Sequence, residues 1–200
     1  MDFTQFLTPE RYNKLKNVVE KRHTDTIVVL ENIIDPHNLS ACLRSCDATG
    51  IMKVYLIYDG SQPYPKLSNT SSASASKWIE IVKFNSVEEC FIDLKRDGYT
   101  IMTTAMNSDA TSLYEINFTK TIALVFGNEH FGVSDKALGL ADGNFLIPQV
   151  GMIQSLNISV ACAVSVYESY RQRNLAKLYD SPQLSNDEMI LKLNQWSARK

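Results

Sequence analysis

The stretch TIVVLENIIDPHNLSACLRSCDATG, residues 26–50, decides the fold class. Its first five residues are apolar or β-branched without interruption, which predicts a short strand buried inside a sheet. Asp35 and Pro36 then introduce a helical pattern over residues 38–49, and Gly50 stands where a left-handed helix cap is expected. A buried strand that leads through a polar loop into a helix is the building unit of an α/β domain.

The same alternation continues along the chain. Apolar runs predict further strands at residues 53–58, 78–84, 99–104, 121–126 and 145–147. Capping residues and helical periodicity predict helices at about 86–97, 134–143 and 155–177, and a final helix after Ser185. Residues 59–76 are predicted to form a loop and a short helix, and residues 107–117 a polar connection. The expected fold class is therefore α/β, with a mostly parallel sheet and helices on both faces.

Length and composition indicate one domain with short additions at its ends. The chain has 200 residues, of which 44% are hydrophobic, enough for a single sizeable core. We expect a central domain over residues 25–178, a basic helical extension over 1–24 and a helical extension over 179–200. No apolar run approaches the roughly 20 residues that cross a bilayer, and the N-terminus has no secretory pattern. We therefore expect a cytoplasmic protein without membrane contact.

The charges are unevenly distributed along the chain. The formal net charge is −2, but residues 1–23 hold five basic and three acidic side chains, and residues 171–200 hold six basic and three acidic ones. The middle of the chain consequently carries −7. Basic ends on an acidic body suit a protein that grips a phosphate backbone with its termini. Solvated helix faces with no nucleic-acid partner would give the same distribution.

The four cysteines do not suggest a disulfide framework. Cys42, Cys46, Cys90 and Cys162 lie inside apolar segments, which predicts reduced, buried thiols. Cys42 and Cys46 are one helical turn apart and close to His37, a spacing compatible with a metal site. Neither a CxxC pair nor a second ligand cluster accompanies them, so we expect no metal.

Three clusters of polar residues and glycines follow predicted strands. In parallel sheets the ligand lies outside the carboxyl ends of the strands, so these clusters are the candidate site. They read ENIIDPHNLSACLR (31–44), GNEHFG (127–132) and IPQVGMIQSLN (147–157). No GxGxxG follows the first strand and no GxxxxGK[S/T] occurs in the chain, which argues against an ordinary dinucleotide fold and a P-loop NTPase.

The first cluster contains an arginine in an unusual setting. Arg44 lies six residues after Asn38 on an otherwise apolar helix, and a guanidinium is hard to bury without a partner. The structural alternative is an arginine that reaches solvent or pairs with Asp47, one turn further on.

The other two clusters also have structural alternatives. Gly127 and Gly132 allow the backbone to approach a ligand closely, although glycine after a strand often only makes a turn. Ser155 is expected to cap the following helix. Asn157 is then in the first helical turn, where its low propensity suggests a specific hydrogen bond.

Together the three clusters resemble the SpoU/TrmH family of RNA ribose 2′-O-methyltransferases within the SPOUT superfamily. The resemblance extends over residues 11–179 and rests on these matching positions: Asn38, Arg44, Gly127, Glu129, Gly132, Ile147, Pro148, Gly151, Ser155, Leu156 and Asn157. The short segment before the first motif and the run YESYRQR (167–173) are more similar to the tRNA branch, especially to enzymes that methylate the D-loop guanosine at position 18. Gln149 departs from the methionine that is common in the family, and some N-terminal arginine positions are lysine here.

The resemblance implies a fold, a cofactor and a set of site residues. It implies a deep trefoil knot in the C-terminal part of the sheet, S-adenosylmethionine as cofactor, tRNA as substrate and a homodimer that completes each active site. The implied catalytic residues are Arg44, Asn38, Glu129, Ser155 and Asn157. The implied cofactor contacts are Thr104, Ala105, Gly127, Ile147 and Leu156. The implied RNA contacts are Arg11, Lys14, Arg22, His37, Arg171 and Arg173.

The role of Arg44 follows from the chemistry of its side chain. A guanidinium is essentially never deprotonated in proteins, so we expect Arg44 to bind an adjacent RNA phosphate and stabilise the developing alkoxide. The phosphate or a basic neighbour would accept the proton. His37 and His130 lie in the predicted loops, but a lone loop histidine is more often structural or in contact with RNA than a base.

Three other functions are compatible with parts of the sequence. The chain could methylate ribose in rRNA, or it could bind tRNA as a paralogue that has lost catalysis. A hydrolase would use Ser155 and His130 with an acid, but the GxSxG nucleophile elbow is missing.

Overall fold

The computed structural model describes residues 3–65, 75–105 and 109–199. In these ranges it contains the strands β1 (Thr26–Glu31), β2 (Lys53–Ile57), β3 (Glu80–Phe84), β4 (Thr100–Thr104), β5 (Thr111–Ser112), β6 (Ile122–Phe126) and β7 (Gly143–Leu146). The α-helices are α1 (Pro9–Val19), α2 (Pro36–Ala48), α3 (Val87–Arg96), α4 (Asp135–Leu140), α5 (Ile158–Leu175) and α6 (Asn186–Ser197).

The strands form one sheet with the order β3-β2-β1-β6-β4-β7-β5, and each neighbouring pair is parallel. The register aligns Leu30 of β1 with Phe126 of β6, and Thr104 of β4 with Phe145 of β7. The carboxyl ends of these four strands therefore meet at one edge of the sheet. The loops that carry the three sequence clusters all start from this edge.

Helices cover both faces of the sheet, which confirms the predicted α/β architecture. On one face α2 and α5 pack together over a buried cluster that includes Leu43, Cys46, Phe126 and Cys162. On the other face α3 and α4 cover a cluster that includes Phe91. All four cysteines are free thiols and are buried, as predicted.

The predicted elements differ from the observed ones mainly near the third sequence cluster. The long helix begins at Ile158, not at Ser155, because Asn157 is its N-cap and accepts a 2.8 Å hydrogen bond from the backbone N–H of Ser159. The prediction of Asn157 inside the first turn was therefore wrong. Residues 148–157 instead form an irregular loop at the carboxyl edge of the sheet.

Smaller differences occur elsewhere. The helix after Ser134 ends at Leu140 because β7 starts at Gly143. The predicted polar connection contains the two-residue strand β5, which pairs with β7. The predicted loop over 59–76 is irregular up to residue 65 and ends in a short 3-10 helix, Ala75–Lys77. Residues 66–74 of that loop and residues 106–108 lie outside the described part of the chain.

The two terminal helices, α1 and α6, pack against each other. Leu15 and Val19 of α1 contact Leu193 and Trp196 of α6 in a small buried cluster. Trp196 lies edge-on to Trp78, with ring centroids 5.4 Å apart, which joins this cluster to the residues before β3. No helix in the described ranges is both long enough and apolar enough to span a membrane.

Two buried arginines, Arg22 and Arg173, connect segments that are far apart in the chain. Arg22 donates to the carboxylate of Asp47 and to the carbonyl oxygens of Asp47 and Ile51. Arg173 of α5 donates to Asp25 at 2.9 Å and to the carbonyl oxygen of Phe118 at 3.3 Å. Breaking either arrangement by removing one partner would leave a charge buried without compensation.

His23 lies beside these arginines and makes folding sensitive to acid. Burial, together with Arg173, lowers the pKa of His23 from 6.5 to about 3. Because the folded pKa lies below the unfolded one, the stabilisation is complete above pH 6.5 and decreases as the pH falls towards 3. We expect this histidine to remove about 1.4 kcal/mol of stability per pH unit over that interval. Denaturant titrations of the wild type and of His23→Gln at pH 7 and pH 5 test this, because the variant loses that part of the slope. Equal slopes for both proteins would contradict it.

Candidate active site

An open cleft of about 1160 Å³ lies at the carboxyl edge of the sheet, between the ends of β4, β6 and β7 and the loop before α5. All five residues predicted to contact the cofactor line it: Thr104, Ala105, Gly127, Ile147 and Leu156. Glu129, Ser155 and Asn157 also line it. The first hydrogen bond beyond β4, from the Ala105 N–H to the carbonyl oxygen of Phe145 at 3.2 Å, holds two walls of the cleft together.

Glu129 connects the second sequence cluster to the first. Its carboxylate accepts hydrogen bonds from the backbone N–H groups of Ile34 and Asp35, each at 3.1 Å, and from the Asn38 side-chain amide at 3.0 Å. Burial raises the pKa of Glu129, but these hydrogen bonds outweigh it and hold the pKa below its usual value. Glu129 is therefore an ionised acceptor at neutral pH and not a general acid.

Asn38 and Asn157 extend this network to the third cluster. The Asn157 amide donates to the side-chain oxygen of Asn38 at 3.2 Å, while its own oxygen accepts from the N–H and the hydroxyl of Ser159. Three predicted catalytic residues, Glu129, Asn38 and Asn157, thus form one chain of hydrogen bonds. The chain links α2, α5 and the loop after β6, so their relative positions are coupled.

Gly127 permits the close approach of two backbone segments. A Cβ atom at this position would overlap the backbone of Gly132 and Val133. The loop 127–133 can therefore fold back on the end of β6 only with glycine there. The sequence predicted that Gly127 lets the backbone approach a ligand closely. In the structure, the segment that approaches Gly127 belongs to the chain itself, at Gly132 and Val133. The loop between these residues is one wall of the cleft.

Arg44 is exposed on α2, two turns beyond Asn38. The Asp47 carboxylate pairs with Arg22, and no ion pair joins it to Arg44 among the described residues. The exposure of Arg44 agrees with the other structural alternative, an arginine that reaches solvent. Among the described residues no hydrogen bond or ion pair holds the Arg44 guanidinium, and Arg44 does not line the cleft of its own chain. Its five donors are available to a group from outside.

Ser155 and His130 are exposed in the walls of the cleft. No hydrogen bond joins Ser155 to His130 or to an acid among the residues that the structure describes. The arrangement gives no support to the hydrolase alternative, which needs a serine activated by a base.

The predicted RNA contacts fall into two groups. Arg11, Lys14, His37 and Arg171 are exposed. Arg171 is held by two 2.8 Å hydrogen bonds to Glu168, yet its side chain stays 59% exposed. The prediction was wrong for Arg22 and Arg173, which are 2% and 0% exposed.

Arg22 and Arg173 are buried because they form ion pairs with Asp47 and Asp25, which hold both guanidinium groups in the interior. Arg22 and Arg173 are structural residues and cannot contact RNA in this fold.

Two residues that fix the site had no predicted role. Asn128 donates to the carbonyl oxygen of Asn32 at 2.7 Å, and its oxygen accepts from the N–H groups of His130 and Phe131. Glu31, at the end of β1, is buried and accepts the N–H of Ser134 at 3.0 Å. The sequence held a sign of each role. Glu31 is an acidic residue at the end of an apolar strand, and Asn128 lies between Gly127 and Glu129 in the second cluster.

Comparison with known proteins agrees with this site. Residues 25–167 match the SpoU rRNA Methylase family. The chain is 41% identical over 189 residues to the tRNA (guanosine(18)-2′-O)-methyltransferase of Thermus thermophilus, an alignment that covers 94% of this chain and 96% of that protein.

Two solved structures have the same fold. The TrmH/SpoU tRNA modifying enzyme of A. aeolicus superposes with a TM-score of 0.87 at 34% identity, over 94% of this chain and 95% of that one. The AdoMet-bound rRNA methyltransferase from Sinorhizobium meliloti gives a TM-score of 0.64 at 27% identity, over 78% and 59% of the two chains. The family match covers more than half of the chain and includes all three clusters of the cleft edge. The chain therefore belongs to the SpoU methylase family.

Proposed function

We propose that this protein uses S-adenosylmethionine to methylate a ribose 2′-hydroxyl in tRNA, at the D-loop guanosine of position 18. The single observation that carries the proposal is the hydrogen-bonded chain Glu129–Asn38–Asn157 at the rim of a cleft that all five expected cofactor contacts line. The names of the Thermus thermophilus relative and of the A. aeolicus structure support tRNA as the substrate class.

The cleft fits the cofactor by its residues and its shape. Its walls combine backbone at Gly127 and Ala105 with apolar side chains such as Ile147 and Leu156, which suits a ligand that has both apolar and hydrogen-bonding groups. When bound, S-adenosylmethionine supplies a methyl group on a positively charged sulfur. We propose that Thr104, Ala105, Gly127, Ile147 and Leu156 hold it.

The residues of the chain position the acceptor. An in-line approach of the ribose oxygen makes orientation a large part of the rate enhancement. Arg44 binds the neighbouring RNA phosphate with its planar fork and stabilises the oxygen as it loses its proton to that phosphate or a basic neighbour. Asn38 and Glu129 fix the position of α2, and therefore of Arg44, relative to the cleft. We propose that Asn157 and Ser155 hydrogen-bond the ribose.

The exposed basic side chains supply the affinity for tRNA. We propose that the exposed side chains Arg11, Lys14, His37 and Arg171 contact phosphate oxygens, and contacts of this kind give salt-dependent binding. The proposed substrate places the reaction in the cytoplasm, where tRNA is found.

A second copy of the chain completes the site in this proposal. Val150 and Met152 are fully exposed in the loop before α5, and Val160 and Tyr167 on α5 are about half exposed. Such an apolar patch on a compact chain is typical of an interface. The Arg44 of the same chain does not line the cleft. We propose that, in a homodimer formed through this patch, the second copy supplies the Arg44 that acts at the cleft.

The patch gives a direct prediction. Met152→Asp places a charge in the proposed interface, and we expect a monomer with at least about a tenfold loss of methyl transfer. Light scattering after size exclusion and a methylation assay measure the two effects. Ile92→Asp, on an exposed apolar position of α3, is the control that leaves both unchanged. A dimeric, active Met152→Asp protein would contradict the interface.

Transfer of tritiated methyl from S-adenosylmethionine to RNA tests the proposed function. We expect label in unmodified tRNA and none in ribosomal RNA. Label in ribosomal RNA alone would favour the rRNA alternative, and tight tRNA binding without label would favour a paralogue that only binds.

A further inference from the structure

Tyr58 follows the last residue of β2, outside the three sequence clusters. Its backbone N–H donates to the carbonyl oxygen of Phe84 at 3.1 Å, which extends the pairing of β2 with β3. In the sheet, β2 lies on the other side of β1 from β4, β6 and β7, whose ends form the cofactor cleft. Tyr58 therefore does not line this cleft.

The Tyr58 hydroxyl holds the connecting segment, residues 32–35, which leads from β1 to α2. It donates to the carbonyl oxygen of Ile33 at 2.8 Å, and Ile33 is fully buried. Burial raises the pKa of Tyr58, so the hydroxyl keeps its proton at neutral pH and remains a donor. This hydrogen bond ties the connecting segment to the end of β2.

The next two residues of the connecting segment hold Glu129. The N–H groups of Ile34 and Asp35 each donate to the Glu129 carboxylate at 3.1 Å. Asp35 is also the N-cap of α2. The connecting segment therefore joins Tyr58 on one side to Glu129 on the other, and α2 starts directly from it.

The backbone of the connecting segment needs contacts from outside to keep its shape. Asn32 has a φ of 52°, a left-handed conformation that residues other than glycine adopt at a cost. Its carbonyl oxygen accepts from the Asn128 amide at 2.7 Å. A strained backbone persists only where the surrounding structure fixes it. The bond from Tyr58 to Ile33, the next residue along, is one of the contacts that do so.

The Tyr58 ring is itself held in place. It packs on the buried cluster beneath α2 and lies edge-on to Tyr64, with ring centroids 5.1 Å apart. The Lys83 ammonium lies 3.6 Å from the centroid of the Tyr64 ring, a cation–π contact that fixes Tyr64 in turn. A ring packed in this way presents its hydroxyl in one direction.

We infer that Tyr58 is a positioning residue for methyl transfer, whose hydroxyl fixes the connecting segment and, through Glu129 and Asn38, the place of α2 and Arg44. The inference rests on the proposed function. It adds to the site a residue that acts only through other residues of the chain.

Tyr58→Phe tests the inference, because it removes the hydroxyl and keeps the ring. We expect kcat for tRNA to fall at least about tenfold with an unchanged KM, since a small displacement of a catalytic group has a large effect on the rate. Calorimetry should show unchanged S-adenosylmethionine affinity, because other strands form the cleft.

Tyr55→Phe is the matched control. Tyr55 belongs to the same strand but faces the opposite side of the sheet, where its hydroxyl donates to Asp93 at 3.0 Å. The control loses one tyrosine hydrogen bond, as Tyr58→Phe does, and we expect it to keep the wild-type kcat.

Amide hydrogen exchange gives a readout besides activity. In Tyr58→Phe we expect the Ile34 and Asp35 amides to exchange at least about tenfold faster, while Val29 and Leu30 in β1 keep their wild-type rates. Unchanged exchange at Ile34 and Asp35 would overturn the inference. Equally faster exchange throughout β1 would also overturn it, because the hydroxyl would then act on general stability.

Three further results would overturn the inference while the proposed function stands: the wild-type kcat in Tyr58→Phe, an equal loss of kcat in Tyr55→Phe, or a Tyr58→Phe protein that does not fold. A wild type that leaves tRNA unmethylated means that the proposed function itself fails, and the inference with it.

Discussion

Replacing Arg44 by lysine lowers the single-turnover rate of methyl transfer by about 100-fold or more. Lysine keeps the positive charge but loses the planar fork that, in the proposed mechanism, binds a phosphate with two donors and a developing alkoxide with a third. Since no described residue holds the Arg44 side chain, the substitution removes no internal contact. We therefore expect unchanged thermal stability and unchanged S-adenosylmethionine affinity.

Rapid quenching measures this rate, with the enzyme preincubated with labelled cofactor and present in excess over tRNA. Arg96→Lys is the matched control, because that arginine is exposed on α3 and pairs only with Asp93 and Asp97 among the described residues. A near-normal rate for Arg44→Lys would show that the charge alone suffices and that the fork has no part in the transition state.

We expect Gly127→Ala to destabilise the protein and to weaken cofactor binding in the proposed cleft. The added Cβ would overlap the backbone of Gly132, which cannot move without displacing the loop that carries Asn128 and Glu129. We expect a loss of about 3 kcal/mol or more, which corresponds to a decrease in Tm of about 6–12 °C for a chain of this size. Affinity for S-adenosylmethionine should fall by at least about tenfold because the loop is a wall of the cleft.

Calorimetry of unfolding and of cofactor binding measures both effects. Gly139→Ala in α4 is the control, since a Cβ there meets open space and alanine favours the helix. Wild-type stability and cofactor affinity in Gly127→Ala would contradict the tight packing of this loop.

The fold was predictable because β1, β2 and β6 are mostly apolar, buried runs of the kind typical of parallel sheets. β1, β2 and β6 were predicted to within one residue, and Gly50 has the left-handed φ of 85° expected of a helix cap. The short strand β5 was missed because its two residues carry no periodicity. Its strand conformation comes from pairing with β7.

The site was predictable in its location, since the carboxyl ends of parallel strands meet at one edge. The hydrogen-bond network of the site was not predictable from the sequence. The bonds from Asn157 to Asn38 and from Asn38 to Glu129 join residues 119 and 91 positions apart, and the sequence contains no sign of the pairing.

The two incorrect RNA contacts have a similar cause. Arg22 and Arg173 were grouped with exposed arginines because charge and position at the chain ends were the only signals. Their burial depends on Asp47 and Asp25, which only the folded chain brings near. Asp47 lies one turn after Arg44 on α2 and pairs with Arg22, while no ion pair joins it to Arg44 among the described residues.

Mass spectrometry of a nuclease digest tests the proposed reaction most directly. Purified protein is incubated with S-adenosylmethionine and one unmodified tRNA that has guanosine at position 18, and the methylated nucleotide is located in the sequence. We predict one 2′-O-methylguanosine, at position 18 of the D-loop. A methyl group on a base, a methylated ribose elsewhere in the tRNA, or unmodified RNA bound to a folded protein would contradict it.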